Sequence, residues 1–111
     1  EYGGYFEKIY FTGLHQKVYQ RFSSGSYYCS ETDVVIVGRH TSGTLYVYLP
    51  NSNRWPGRTI MVKRAYSGIY VNGNGANLRR HDNNTQIGIA EGDMWQFIWD
   101  GTEWLANVLT R

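Results

Sequence analysis

The chain has 111 residues; 16% are aromatic (ten Tyr, four Trp, four Phe) and only 18% charged, with thirteen Gly, two Pro and a net charge of +2. This excludes a disordered segment, which lacks aromatics and carries more charge, a collagen-like or proline-rich chain, and an intrachain disulfide scaffold, since Cys29 stands alone. The length allows one domain, and so small a charge implies no nucleic-acid partner.

Alternation of apolar and polar residues runs through the sequence, and no helical period is sustained. Strands are predicted at 7–12 and 16–22 around the turn Thr12-Gly13-Leu14-His15, and these form an N-terminal hairpin extension over residues 1–31. A Ser/Gly turn leads to a short strand at 27–29, and 33–39 reads as a buried apolar strand. Residues 44–49 alternate, with Leu45, Val47 and Leu49 on one face and Tyr46 and Tyr48 on the other. Pro50 ends that strand because it has no N–H to give a ladder. After the loop 51–57 come strands at 58–64 and 70–72, the turn Gly73-Asn74-Gly75, and weaker strands at 77–79 and 86–90. A final hairpin pairs 94–99 with 102–109 across Asp100-Gly101, a dipeptide suited to a type I′ turn. Nine or ten short strands at this spacing predict an all-β, antiparallel sandwich or jelly roll.

Several strands are apolar on both faces. Trp95, Phe97 and Trp99 share one face of a strand whose other face holds Met94 and Ile98. Trp104, Ala106 and Val108 alternate with Leu105 and Leu109, and Ile9, Tyr10 and Phe11 are consecutive. A sandwich strand needs one apolar face only, so the second faces call for a partner, and a homotrimer is the expected one. Trp95, Phe97, Trp99, Trp104, Tyr46 and Tyr48 are assigned to the core or to that interface.

Catalysis is not expected. His15, His40 and His81 show no metal-ligand spacing, and no metal or other cofactor is implied. Cys29 follows Tyr27 and Tyr28 and reads as a small buried hydrophobe. The carboxylates sit in turns, where they normally bond local N–H groups. The sequence Asn72-Gly73-Asn74-Gly75 opens no helix, so it is a tight turn and not a phosphate loop. The loop residues left as candidate ligand contacts are Trp55 with Arg54, Tyr66, Tyr70 and the basic pair Arg79-Arg80. No apolar run approaches the ~18 residues of a membrane helix, so no membrane insertion is expected. The start at Glu1 is read as that of a fragment or processed product.

Asp33-Val34-Val35-Ile36, then Gly43 to Leu49-Pro50, Pro56-Gly57-Arg58 to Arg64, Val71-Asn72-Gly73, and Asp100-Gly101-Thr102-Glu103-Trp104 form an ordered series. From about Thr32 to Leu109 this series resembles a module found near the C-termini of bacteriophage tail fibres, tailspikes and neck appendages. The resemblance implies a homotrimeric β-sandwich of jelly-roll, tumour-necrosis-factor-like type on the virion surface. It further implies attachment to a host-surface polysaccharide or other receptor. The alternatives are a trimerisation or assembly domain of the fibre and a monomeric carbohydrate-binding module. The motif residues read as architectural, so the resemblance carries no receptor-site residue over to this chain.

Overall fold

The computed structural model describes residues 17–110, which form eleven strands and no helix. The strand expected at 7–12, with Ile9, Tyr10, Phe11 and His15, lies outside the described residues. In chain order the first six strands are β1 (Lys17–Arg21), β2 (Gly25–Tyr28), β3 (Asp33–Gly38), β4 (Leu45–Tyr48), β5 (Thr59–Arg64) and β6 (Ile69–Asn72). They alternate strictly between two sheets, with β1, β3 and β5 in one and β2, β4 and β6 in the other. Every neighbouring pair within this set is parallel. Each odd strand and the even strand after it therefore make one coil, and three coils stack.

The remaining strands complete the sheets. They are β7 (Leu78–Arg79), β8 (Asn83–Asn84), β9 (Gln86–Ile89), β10 (Met94–Trp99) and β11 (Trp104–Thr110). The seven-stranded sheet has the order β1-β3-β5-β10-β11-β7-β8, and the four-stranded sheet the order β2-β4-β6-β9. Strand β9 closes the small sheet antiparallel to β6, and the β10–β11 hairpin joins the large sheet antiparallel to β5.

This stacking is solenoid-like and departs from the antiparallel jelly roll expected from the sequence. The physical reason lies in the connections. Parallel strands require a crossover between them, and here the crossover is itself a strand in the opposite sheet. Most of the corner loops, such as 22–24, 29–32 and 65–68, are as short as hairpin turns, so the two topologies look alike in one sequence. Of the predicted N-terminal hairpin only the second strand lies among the described residues; it is β1, which pairs with β3, while β2 pairs with β4.

The core lies between the sheets and is assembled by period-two alternation. From the small sheet come Leu45, Val47, Ile69, Val71, Ile87 and Ile89, and from the large sheet Ile36, Ile60, Val62, Trp95, Phe97, Trp99 and Trp104, all buried. Trp95, Phe97, Trp99 and Trp104, assigned from the sequence to the core or a subunit interface, are buried in the core; Trp99 and Trp104 face each other across the hairpin with ring centroids 5.3 Å apart. Tyr46 and Tyr48 are not in the core. They sit half-buried on the outer face of the small sheet.

Two turns show how local chemistry sets the corners. Between Gly73 and Ala76, Asn74 and Gly75 both have positive φ, and the Ala76 N–H donates to the Gly73 carbonyl at 3.2 Å. That is the type I′ pattern, reinforced by the Asn74 N–H donating to Asn72 Oδ1 at 2.7 Å. Between β10 and β11 the expected two-residue turn is instead a four-residue loop, since Trp99 pairs with Trp104. There Asp100 Oδ1 accepts the N–H groups of Thr102 and Glu103, each at 2.8 Å. The hydrogen bonds from Glu103 and Thr102 hold the Asp100 carboxyl below the usual carboxylate range.

Candidate functional site: the tyrosine face and its cleft

The outer face of the small sheet carries two rows of side chains set by the parallel register. One row runs Ser26, Tyr46, Tyr70, Gly88, and the next runs Tyr28, Tyr48, Asn72, Gln86. Strands in a sheet lie about 4.8 Å apart, which suits face-to-face stacking of rings on neighbouring strands. Tyr28 and Tyr48 stack at 4.5 Å between centroids and 12° between planes, and Tyr46 and Tyr70 at 5.8 Å and 14°. Gly88 leaves room for the second stack, since a Cβ there would lie 3.0 Å from Tyr70 Cε1. The outcome is a four-tyrosine platform in which the stacked faces cover one another, so that ring edges and the outermost rings, Tyr28 and Tyr70, meet solvent; these two are 61% and 41% exposed.

At the carboxyl ends of β2 and β4 the first of these stacks borders a cleft of about 140 Å³. Its polar lining includes Ser30, Glu31, Asn51, Asn53 and Asn74. Asn53, at φ 54°, donates from Nδ2 to Glu31 Oε2 at 2.8 Å, which ties the 51–57 loop to the β2–β3 corner. Asn74 donates from Nδ2 to the Leu49 carbonyl at 3.1 Å.

A buried polar knot anchors Ser30 of the cleft lining. Asp33 is fully buried, and its Oδ2 accepts the Tyr27 hydroxyl and, at 2.9 Å, the Ser30 N–H. Its Oδ1 faces Lys17 Nζ at 3.4 Å, an ion pair without hydrogen-bond geometry. The buried Arg58 guanidinium donates to the carbonyls of Ser30 (3.1 Å) and Asp33 (3.0 Å). Burial, and then the hydrogen bond to Asp33, raises the Tyr27 hydroxyl well above the ordinary tyrosine range. Burial, and then the charge of Asp33, pushes the Cys29 thiol up to about 12, so this cysteine is a protonated packing group and no nucleophile at neutral pH.

The loop residues singled out from sequence do not converge. Trp55 is exposed, with the Arg58 guanidinium 5.1 Å from its ring centroid. Arg54 lies 3.8 Å over the Trp99 ring and so caps the β10–β11 hairpin. Tyr66 is exposed at the corner after β5, where its carbonyl accepts from Arg64 Nε. Arg79 pairs with Glu103 at 3.2 Å and Arg80 with Asp82 at 3.4 Å, at the β7–β8 end of the large sheet. Only Tyr70 joins the platform. His40 is buried and donates from Nε2 to the Gly68 carbonyl at 2.8 Å, while His81 is at the surface beside Asp82.

Tyr28, Glu31, Asn53 and Asn74 were missed by sequence reasoning. Tyr28 had a signal, a tyrosine at the same strand position as Tyr48, but it becomes legible only once the strands are known to be parallel.

No family model matches the chain, and no curated protein is significantly similar to it. Among the described residues no helix is long and apolar enough to cross a membrane.

Proposed function

We propose that this chain is an attachment module of a virion tail fibre or appendage that binds host cell-surface glycans through the tyrosine face of its small sheet. The observation that carries the reading is the exposed double stack of Tyr28–Tyr48 and Tyr46–Tyr70. A sugar ring presents a face of C–H groups, which the negative face of an aromatic ring attracts. The outermost rings, Tyr28 above all, leave a face for that contact, and rings already held by stacking lose little side-chain entropy when they bind. The ordered series from Asp33 to Trp104, which resembles the phage module, supports the virion context.

The outer face of the large sheet supports homotrimer formation. Val18, Val35 and Met61 form one row of it, and Ile98 and Leu105 part of another. Val18 and Leu105 are 58% and 39% exposed. A trimer multiplies weak glycan sites through avidity. That same face also favours the second reading, a fibre-assembly domain with no receptor of its own.

The test is binding of the purified protein to an array of bacterial surface glycans, with its mass measured by sedimentation. The wild type is expected to sediment as a trimer and to retain at least one glycan. Tyr46→Ala/Tyr70→Ala should weaken retention about tenfold or more per ring lost, while Trp55→Ala and Arg79→Ala leave it unchanged. A trimer that retains no glycan would establish the assembly reading, and a glycan-binding monomer the carbohydrate-binding module. Retention insensitive to the tyrosines would overturn the platform.

A further inference from the structure

Resting on the glycan reading of the tyrosine face, we infer that the cleft at the carboxyl ends of β2 and β4 is a terminal-sugar subsite selective for neutral or amine-bearing sugars over acidic ones. Three observations lead there. The first is continuity: Tyr28 and Tyr48 belong both to the platform and to the cleft wall, so a chain lying on the rings can end in the cleft. The second is size. At about 140 Å³ the cleft is smaller than the roughly 300–1,000 Å³ of pockets for drug-sized ligands, which suits a single ring.

The third is charge. Glu31 is the one charged side chain lining the cleft; the other polar side chains there are hydroxyls and amides. Glu31 uses Oε2 to receive Asn53, and Asn74 uses Nδ2 to reach the Leu49 carbonyl. Neither Glu31 Oε1 nor Asn74 Oδ1 has a hydrogen-bond partner among the described residues. Both are acceptors, and they call for donors on the ligand, namely hydroxyl or ammonium groups. A uronate or sialate carboxylate would meet Glu31, and no cationic side chain lines the cleft to receive it; like charges at close range repel. The two arginines nearest in sequence and space do not line the cleft: Arg58 is buried and donates to the Ser30 and Asp33 carbonyls, and Arg54 lies over the Trp99 ring.

The experiment is titration of the ¹⁵N-labelled protein with methyl glucoside, methyl galactoside, glucosamine and glucuronate, followed by amide shifts, alongside an oligosaccharide retained on the array. At least one neutral sugar or glucosamine is expected to shift the amides of Glu31, Asn53 and Asn74. Glucuronate should bind at least about tenfold more weakly. Glu31→Gln, an exposed position, should narrow the gap between glucosamine and glucuronate while leaving the fold intact. The subsite is overturned, with the glycan reading still standing, if the oligosaccharide shifts only the amides of β4 and β6, or if glucuronate binds best. If no saccharide shifts any amide, the glycan reading and the subsite fall together.

Discussion

Replacing Asp33 tests whether the buried polar knot organises the fold at the first coil. Asp33→Ala leaves the Tyr27 hydroxyl and the Ser30 N–H without their acceptor and removes the counter-charge of Lys17. Hydrogen bonds to a charged group contribute about 1.5–3 kcal/mol each. The Lys17 pair adds little, about 0–1 kcal/mol, because the Lys17 side chain is 44% exposed. Breaking a buried charged cluster by removing one member costs about 3–5 kcal/mol, and that is the loss expected here. It is a large share of the roughly 5–15 kcal/mol by which a domain is stable. Asp33→Asn keeps the volume and one acceptor oxygen, so about 1.5–3 kcal/mol is expected, and Lys17→Met should cost below about 1 kcal/mol. Urea unfolding followed by tryptophan fluorescence reads all three, provided the denaturant slopes match. The reasoning fails if Asp33→Ala stays within about 1 kcal/mol of wild type, or if Lys17→Met costs as much as Asp33→Ala.

The Gly73 turn should be equally intolerant. An added Cβ would sit 2.0 Å from the Ala76 carbonyl oxygen, which is backbone and cannot step aside; Gly73→Ala should cost about 3 kcal/mol in the same urea assay. Gly75→Ala, where φ is 95° but no atom lies within 4 Å, should cost about 1–2 kcal/mol, and equal costs at the two sites would refute the steric argument. Alkaline stability follows from Cys29 and Tyr27, whose folded values are both raised. Unfolded thiols and phenols ionise near pH ~8.5 and ~10, so the contribution is complete below about pH 8.5. It is lost as pH rises toward the folded value of about 12 for Cys29, at up to about 1.4 kcal/mol per pH unit and group. Cys29→Ala should flatten that decline between about pH 9 and 10; an unchanged slope would remove Cys29 from the account.

Much of the architecture was legible because alternation reports burial directly. The inward faces of β4 and β10 were read from Leu45, Val47, Trp95, Phe97 and Trp99, and all five are buried. The Asp33 to Arg58 stretch of the motif was read as architectural, and the structure joins its two ends through the Arg58 guanidinium and the Asp33 carbonyl. Strand direction was not legible, since a period of two is the same whichever way a neighbour runs. Nor was the coil repeat. Gly25 pairs with Leu45, Leu45 with Ile69, and Val35 with Met61, so the intervals between coils are unequal and no fixed period marks them.

The candidate site was the least legible part, and the stacking geometry explains why. Composition drew attention to Trp55 and to Arg79-Arg80, because a loop tryptophan and a basic pair are conspicuous along a chain. The structure gives each of those arginines a partner: Glu103 takes Arg79, and Asp82 takes Arg80. A platform depends instead on residues far apart in sequence falling on one row of a sheet, as Tyr28 and Tyr48 do through the β2–β4 register. Shift that register by one residue and Tyr28 would align with Val47, whose side chain points into the core. The tyrosines therefore define a surface only after the coils are stacked, and the knot of Asp33, Tyr27 and Arg58 is what holds the first coil's corner beneath them. Only Tyr28 belongs to the first coil, so on this geometry loss of the knot should open the Tyr28–Tyr48 stack and leave Tyr46–Tyr70, held by the β4–β6 pairing, in place.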